Sequence, residues 1–231
     1  MAGSIGPIGE LFEPLGLLTY ADAVEIIHEQ MEALENGRLD LIWIETISAL
    51  EELKAAIDAA RRTGLPTCYT LRFDTHESTM MGIAPENFVQ FCEDNKLFSY
   101  GANCGVGPSE MVETILKLKK SQNIDTPLIA KGNCGIPSYH EGKIVFNGSP
   151  AKMSDYALMA SKAGAKIIGG CCRTTHSHIG SIRGALEQVS ISESYSADEY
   201  FRKLRKPWKD MDKSKNELGY LAYEINSPSP F

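Results

Sequence analysis

The 231-residue chain lacks several features that would by themselves define a class of function. No apolar run approaches the roughly 20 residues that span a bilayer, and the first residues do not resemble a secretory signal. The net charge is −7, which argues against nucleic acid or an anionic membrane as a partner. Six cysteines are too few for a disulfide scaffold in a chain of this length. We therefore expect a reducing, cytoplasmic setting in which thiols are kept for chemistry.

Short apolar runs alternate with amphipathic segments along most of the chain. Strands are predicted near residues 1–5, 39–44, 67–73, 97–102, 127–131 and 165–169. A helix is predicted after each strand, with a long loop over 132–149 before the fifth helix. Six strand–helix units in succession predict a parallel α/β sheet, whose chemistry is expected at the carboxyl ends of the strands.

The domain organisation follows from a change in composition near residue 188. Residues 1–188 carry the six strand–helix units and are predicted to form one domain. Residues 189–231 are polar, then rich in Lys and Arg, then rich in Ser and Pro. We interpret them as a C-terminal tail, which is either an oligomerisation arm or a solvated segment.

Three cysteines follow predicted strands. The segment 166–175 reads Lys-Ile-Ile-Gly-Gly-Cys-Cys-Arg-Thr-Thr, and adjacent cysteines rarely pair, because disulfide geometry needs better-separated Cα atoms. Cys104 follows another strand, in Gly-Ala-Asn-Cys-Gly. Since parallel strands end at one edge, Cys104, Cys171 and Cys172 are expected to converge. Three thiolates with one open position are typical of catalytic zinc; the alternative is that these are small buried residues in tight turns.

These two cysteine motifs resemble those of the homocysteine S-methyltransferase family. Three further stretches match the family pattern in the same order: Ala-Gly-Ser-Ile-Gly-Pro-Ile-Gly-Glu at 2–10, Ile-Glu-Thr at 44–46 and Ala-Lys-Gly-Asn-Cys-Gly-Ile-Pro at 130–137. The resemblance covers about residues 2–188. Lys-Gly-Asn-Cys-Gly at 131–135 and Met-Met-Gly at 80–82 are most similar to the bacterial betaine-type members.

The resemblance implies an α/β fold of the (β/α)8 TIM-barrel type, with zinc at its carboxyl mouth. That barrel has eight strand–helix units, so a chain with about six is expected to form an incomplete barrel that lacks the first two. Exposed sheet edges would then favour a homo-oligomer, or an N-terminal segment supplied by another chain. The alternatives are that the chain is a fragment of a longer product or that the sheet closes differently. The residues that the resemblance assigns to Zn²⁺ are Cys104, Cys171 and Cys172.

The resemblance also assigns residues around the substrate. Glu45 matches the carboxylate that holds the amino group of homocysteine, and a carboxylate that ends a buried strand independently needs a cationic partner. The alternative for Glu45 is a helix-start residue that faces water. The Gly3 backbone and Ser4 match positions near the substrate, and Asn133 matches a residue close to the metal. Cys134 stands where many members carry a small residue, and it is either a bystander or a spare ligand.

The implied reaction transfers a methyl group from a small onium donor, with betaine favoured, to the thiol of homocysteine and forms methionine. Zinc would lower the pKa of that thiol, so that it binds as a thiolate. S-methylmethionine is the alternative donor, and an inactive truncated relative that binds zinc, homocysteine or a partner chain is a further alternative. A quaternary ammonium favours aromatic faces, but no aromatic residue is assigned to the donor, since each candidate is better explained as core or wall: Trp43, Tyr69, Tyr100 and Tyr139.

Overall fold

A computed structural model describes residues 1–74, 78–140 and 142–188 of the chain. The predicted C-terminal tail at 189–231 lies outside these residues. The strands are β1 (Ala2–Ile5), β2 (Leu41–Ile47), β3 (Thr67–Leu71), β4 (Ser99–Cys104), β5 (Leu128–Gly132), β6 (Pro137–His140), β7 (Lys143–Phe146) and β8 (Ala165–Gly170). The helices are α1 (Tyr20–Asn36), α2 (Leu50–Thr63), α3 (Pro85–Asp94), α4 (Pro108–Ser121), α5 (Pro150–Lys162) and α6 (His176–Glu187).

Six strands form one sheet in the order β1-β2-β3-β4-β5-β8, and every neighbouring pair is parallel. Each of these strands is followed by a helix that returns the chain to the same end of the sheet, apart from the insertion between β5 and α5. The predicted parallel α/β fold with six strand–helix units is therefore confirmed. Within the described residues, β1 and β8 each have one neighbour and are the edges of the sheet.

Local sequence signals explain where the helices begin and end. Thr19 caps α1, because its side chain accepts a hydrogen bond from the backbone of Asp22. Proline opens α3, α4 and α5, where its missing N–H has no helical partner to lose. Gly64 ends α2 with φ of 70°, a left-handed conformation that favours glycine. None of the described helices is both long enough and apolar enough to cross a membrane.

The core lies between the sheet and the helices. All five residues of β3 are buried, as expected of a central parallel strand covered on both faces. The helices contribute buried alanines and larger apolar residues, such as Leu53 and Ile57 of α2 and Phe88 of α3. This packing fixes the strands, and so it fixes the carboxyl ends that carry the site.

The loop predicted over 132–149 is wrong in part, because it contains an antiparallel hairpin. Strands β6 and β7 pair from Pro137 opposite Phe146 to His140 opposite Lys143. The run Lys-Ile-Val-Phe in β7 is typical of a strand, and Gly142 adopts a φ of 80° in the turn. The hairpin forms a separate two-stranded sheet and follows β5 in the chain.

Candidate metal and substrate site

The three predicted metal ligands converge at the carboxyl edge of the sheet. Cys104 is the last residue of β4, and Cys171 and Cys172 directly follow β8. The Cys104 sulfur lies 3.0 Å from the Cys171 sulfur and 3.5 Å from the Cys172 sulfur, and all three lie within 4.8 Å of one another. Tetrahedral zinc with bonds of about 2.3 Å separates its sulfur ligands by about 3.8 Å. The cluster therefore has the composition and nearly the spacing of a three-thiolate zinc site.

Backbone contacts hold the loop of Cys171 and Cys172 against the end of β5 and the residues that follow it. The Cys171 amide donates to the Gly132 carbonyl at 2.8 Å, and the Cys134 amide donates to the Cys172 carbonyl at 3.0 Å. Cys104 adopts a φ of 58°, which a residue with a Cβ adopts only at some cost in free energy. Cys104 is itself paired with Gly132 in the sheet, so β5 is the common support for both cysteine-bearing segments.

Asn133 joins the two loops through its side chain. Its Oδ1 accepts a hydrogen bond from the Cys172 amide at 3.2 Å, and its Nδ2 donates to the Gly105 carbonyl at 2.9 Å. The residue is buried, so few alternative partners are available for these groups. Asn133 thus touches the backbone beside two of the cysteines, and its predicted role near the metal stays a prediction.

Hydrogen bonds among the thiols make the acidity of the three groups unequal. The pKa of Cys171 is lowered, chiefly by hydrogen bonds from Cys104 and Cys172, and further by the amide of Asn103 and the charge of Lys131. The pKa of Cys104 is raised by its hydrogen bonds to Cys171 and Cys172 and by burial. A negative charge is therefore favoured at Cys171, next to protons that a soft cation can displace.

Glu45 lies near the end of β2 and has two side-chain partners. Its Oε1 accepts a hydrogen bond from the Ser4 hydroxyl of β1, and its Oε2 accepts one from the Lys131 ammonium of β5. The side chains of Glu45 and Lys131 are 19% and 20% exposed, so the ion pair is largely shielded from water but can still be reached. The Lys131 ammonium also lies 4.9 Å from the centroid of the Trp43 ring.

Gly3 is placed differently from Ser4. Successive residues of a strand point to opposite faces, and Gly3 is buried where a Cβ would come within 2.3 Å of the Leu39 side chain and 3.1 Å of Leu34. The absence of a side chain at Gly3 therefore allows α1 and the following loop to pack against β1. Its predicted backbone contact with substrate remains a prediction.

Sequence reasoning gave no role to Asn103, yet this residue connects both halves of the site. Its Oδ1 accepts from the Thr46 amide at 2.9 Å, and its Nδ2 donates to the Thr46 hydroxyl at 2.8 Å and lies 3.8 Å from the Cys171 sulfur. Thr46 has a φ of 69°, which is unusual for a β-branched residue. The place of Asn103 beside Cys104 in the motif was the available signal.

Lys131 was also missed as a site residue. In the sequence, Lys131 bears only on the choice of subfamily, because nothing in the sequence aligns β5 with β2 across the two strands between them. Two tyrosines at strand ends, Tyr69 and Tyr100, are buried in the core, in agreement with their interpretation as core residues. Tyr139 lies on the hairpin and is half-exposed.

Cys134 lies beside the cluster without joining it. Its sulfur donates to the Gly148 carbonyl at 3.2 Å and lies 3.1 Å from Nε2 of His178. Because Nδ1 of His178 accepts from the Thr175 amide, its proton lies on Nε2, which donates to the sulfur. Both sides of the Cys134 thiol are thus engaged away from the other cysteines, and its assignment as a bystander stays a prediction.

The parallel α/β sheet, with three sulfurs and a carboxylate at its carboxyl edge, defines a barrel-type protein with a cysteine cluster that could hold a metal ion. The homocysteine S-methyltransferase family model matches residues 1–186, and the chain belongs to this family.

Two curated relatives are similar over most of the chain. Methionine synthase of Mycobacterium tuberculosis is 27% identical over 198 residues, which cover 83% of this chain and 16% of that protein. Methionine synthase of Mycobacterium leprae is 27% identical over 195 residues, which cover 81% of this chain and 16% of that protein. The chain thus spans about one sixth of the length of these relatives.

Solved structures of the homocysteine methyltransferase MmuM from Escherichia coli have the same fold. The apo form matches with a TM-score of 0.64 at 22% identity, over 80% of this chain and 61% of that one. The metallated form matches with a TM-score of 0.61 at 22% identity, over 79% of this chain and 60% of that one. The chain therefore spans about three fifths of MmuM, as expected of an incomplete barrel.

Proposed function

We propose that the chain carries the zinc-dependent transfer of a methyl group from a small onium donor to the thiol of homocysteine, forming methionine. The observation that carries the proposal is the meeting of three cysteine sulfurs with a shielded carboxylate at one edge of the sheet. Membership of the homocysteine S-methyltransferase family supports the same reaction. The sulfurs suit a thiophilic metal, and the carboxylate suits an ammonium group.

Cys104, Cys171 and Cys172 are the residues proposed to hold Zn²⁺. The match of this chain to the metallated form of MmuM supports a bound metal. When bound, the zinc would act as a Lewis acid that lowers the pKa of a substrate thiol, so that the sulfur is nucleophilic at neutral pH. Because the thiols must stay reduced to act as ligands, we also propose a cytoplasmic location.

Glu45 is proposed to bind the amino group of homocysteine. The Ser4 hydroxyl donates to one oxygen of the Glu45 carboxylate and thereby fixes the orientation of the carboxylate group. Asn103 fixes the adjoining Thr46 backbone and lies beside Cys171, so it sets the separation between the amino group and the sulfur. These residues bind and orient the amino acid, and they leave the methyl transfer itself to the alignment of two reactants.

Betaine is the donor that we favour, on the similarity of residues 131–135 and 80–82 to betaine-type members, and S-methylmethionine is the alternative. Both donors carry a positively charged methyl-bearing centre, so neither needs a general base. An inactive relative would bind zinc and homocysteine without turnover. Methionine formation with each donor in turn therefore distinguishes the three possibilities.

The experiment measures zinc content and methionine formation on the same preparation. We expect about one zinc per chain, lost in Cys171→Ser, and methionine from homocysteine with betaine. Cys68→Ser is the control, because Cys68 is a buried cysteine of β3 outside the cluster. A folded wild-type chain that takes up no zinc contradicts the proposal. Zinc uptake without methionine formation from either donor would show that the chain is an inactive relative of the enzymes.

The edge strands β1 and β8 lead to a proposal about assembly. Exposed strand edges pair readily with other strands. We propose that further polypeptide covers these edges, either a second copy of this chain or an N-terminal segment on a separate chain. Light scattering after size-exclusion chromatography measures the mass: a dimer or larger species supports the first arrangement, and a monomer that becomes active on adding such a segment supports the second.

A further inference from the structure

Lys131 has a position that the proposed function does not explain. Its ammonium donates to Glu45, the carboxylate that we propose for the amino group of the substrate. An incoming ammonium must therefore compete with a cation of the protein for the same oxygen. A largely shielded lysine is stable only with an anionic partner, so substrate binding at Glu45 leaves Lys131 in need of a new one.

The substrate supplies such a partner. An α-amino acid is a zwitterion whose carboxylate carbon is two bonds from its ammonium nitrogen, so its two charges arrive together. Placed between Glu45 and Lys131, the zwitterion gives four charges that alternate in sign. Both protein charges then remain paired. A ligand with an ammonium group but no carboxylate would pair with Glu45 and leave Lys131 without an anionic partner.

The backbone places Lys131 where it can make this exchange. In the sheet, Lys131 pairs with Asn103 of β4 on one side and with Gly169 of β8 on the other, so it lies between the two strands that present the cysteines. A Cβ on Gly169 would come 3.7 Å from Cγ of Lys131, which means that the lysine stem runs over this glycine. The ammonium is attached through a flexible four-carbon stem, which allows it to move from one oxygen anion to another.

We propose that Lys131 binds the α-carboxylate of the amino-acid substrate, and that it is held by Glu45 until the substrate arrives. The proposal rests on the proposed function, because it assumes that a thiol-bearing amino acid occupies this site. It assigns specificity to the Glu45–Lys131 pair: the site selects thiols that carry both an ammonium and a carboxylate over thiols that carry one of them.

The test compares three thiols that differ in charge. L-Homocysteine carries both groups, 3-aminopropane-1-thiol lacks the carboxylate, and 4-mercaptobutanoate lacks the amino group. Dissociation constants are measured from the thiol-dependent absorption of the cobalt(II)-substituted chain, which requires no turnover. The proteins are the wild type, Lys131→Met, Lys131→Arg and the double variant Glu45→Gln/Lys131→Met, which leaves no unpaired charge if the single variant fails to fold.

We expect Lys131→Met to raise the dissociation constants of L-homocysteine and 4-mercaptobutanoate by about 10- to 100-fold. This is the usual effect of losing a hydrogen bond to a charged group. The same variant should bind 3-aminopropane-1-thiol as well as the wild type or more tightly, since Glu45 loses its internal competitor. Lys131→Arg should retain most of the affinity for L-homocysteine. In the double variant, L-homocysteine should bind no more tightly than 3-aminopropane-1-thiol.

Two results would overturn the assignment of Lys131. Tighter binding of L-homocysteine by Lys131→Met would mean that the lysine only competes for Glu45. An equal loss of affinity for all three thiols in Lys131→Met would mean that Lys131 only supports the structure of the site. Failure of the proposed function looks different: no thiol would change the cobalt absorption of the wild-type chain, and the assignment of Lys131 would fall with it.

Discussion

Asn103 and Thr46 exchange two hydrogen bonds across 57 positions of the chain. The Thr46 amide donates to Oδ1 of Asn103, and Nδ2 of Asn103 donates to the Thr46 hydroxyl. The pair fixes the backbone directly after Glu45, while the same Nδ2 lies 3.8 Å from the Cys171 sulfur. One fully buried side chain therefore sets the position of the Glu45 carboxylate relative to the sulfur cluster.

Asn103→Ala should lower both stability and metal affinity. The change leaves the Thr46 amide without its acceptor, and such a loss costs about 2–3 kcal/mol of unfolding free energy. Removing a hydrogen bond to a metal ligand typically weakens metal binding by about 10-fold or more. Chemical denaturation and competition with a zinc chelator measure the two effects. Asn123→Ala, at an exposed asparagine that contacts Glu93, is the control and should change neither; equal behaviour of the two variants would contradict the role of Asn103.

Cys134→Ser should retain the metal. A serine hydroxyl can keep the contacts with the Gly148 carbonyl and His178, so the loop beside the cluster should be preserved. Cys172→Ser removes one of the three converging sulfurs and should lower the zinc content well below that of the wild type. Elemental analysis of the purified proteins makes the comparison. A Cys134→Ser protein that loses zinc while remaining folded would identify Cys134 as a ligand.

Tyr156→Phe should destabilise the carboxyl end of β5. The Tyr156 hydroxyl is buried and accepts a hydrogen bond from the Gly132 amide at 2.9 Å, and the Gly132 carbonyl in turn accepts from Cys171. Without the hydroxyl, a buried amide loses its partner at a cost of about 1–3 kcal/mol. Urea denaturation gives the change, and Tyr139→Phe at the half-exposed Tyr139 should stay within about 0.5 kcal/mol of the wild type. A Tyr156→Phe protein as stable as this control would show that the bond contributes little.

Glu52 should make stability depend on pH. Burial raises the pKa of Glu52 above its usual value of 4.5, although the Ile8 amide donates to its carboxylate. Because the folded state holds this proton more tightly than the unfolded state, its stabilising contribution is present below pH 4.5 and is lost as the pH rises through the folded-state pKa. The melting temperature of Glu52→Gln minus that of the wild type should therefore increase between pH 4 and pH 7. Exposed Glu51→Gln is the control, and a difference that does not vary with pH would contradict the expectation.

Much of the fold followed from the sequence because its signals are local. Apolar runs ending in glycine or polar residues predicted the strands, and the amphipathic segments between them predicted the helices that follow each strand. The convergence of the three sulfurs followed from one rule, that parallel strands end at one edge. The hairpin after β5 was missed, since its four-residue strands are too short to separate from a loop by pattern alone.

The contacts of Lys131 and Asn103 could not be predicted in the same way. Each depends on which residues face one another across non-adjacent strands, and the sequence carries no direct record of that register. Asn103 was visible in a motif, but its partner Thr46 lies on a strand two places away in the sheet. Polar side chains inside such a sheet acquire their roles from tertiary structure, so they are found by geometry and not by composition.

The ion pair between Glu45 and Lys131 indicates that the sheet is curved. It joins β2 to β5, which are separated by two strands, and in a flat sheet with strands about 4.8 Å apart these would lie about 14 Å from each other. The contact therefore lies across the concave side of a curled sheet. A molecule that took the place of this ion pair, as proposed for the amino-acid zwitterion, would therefore span the same two strands.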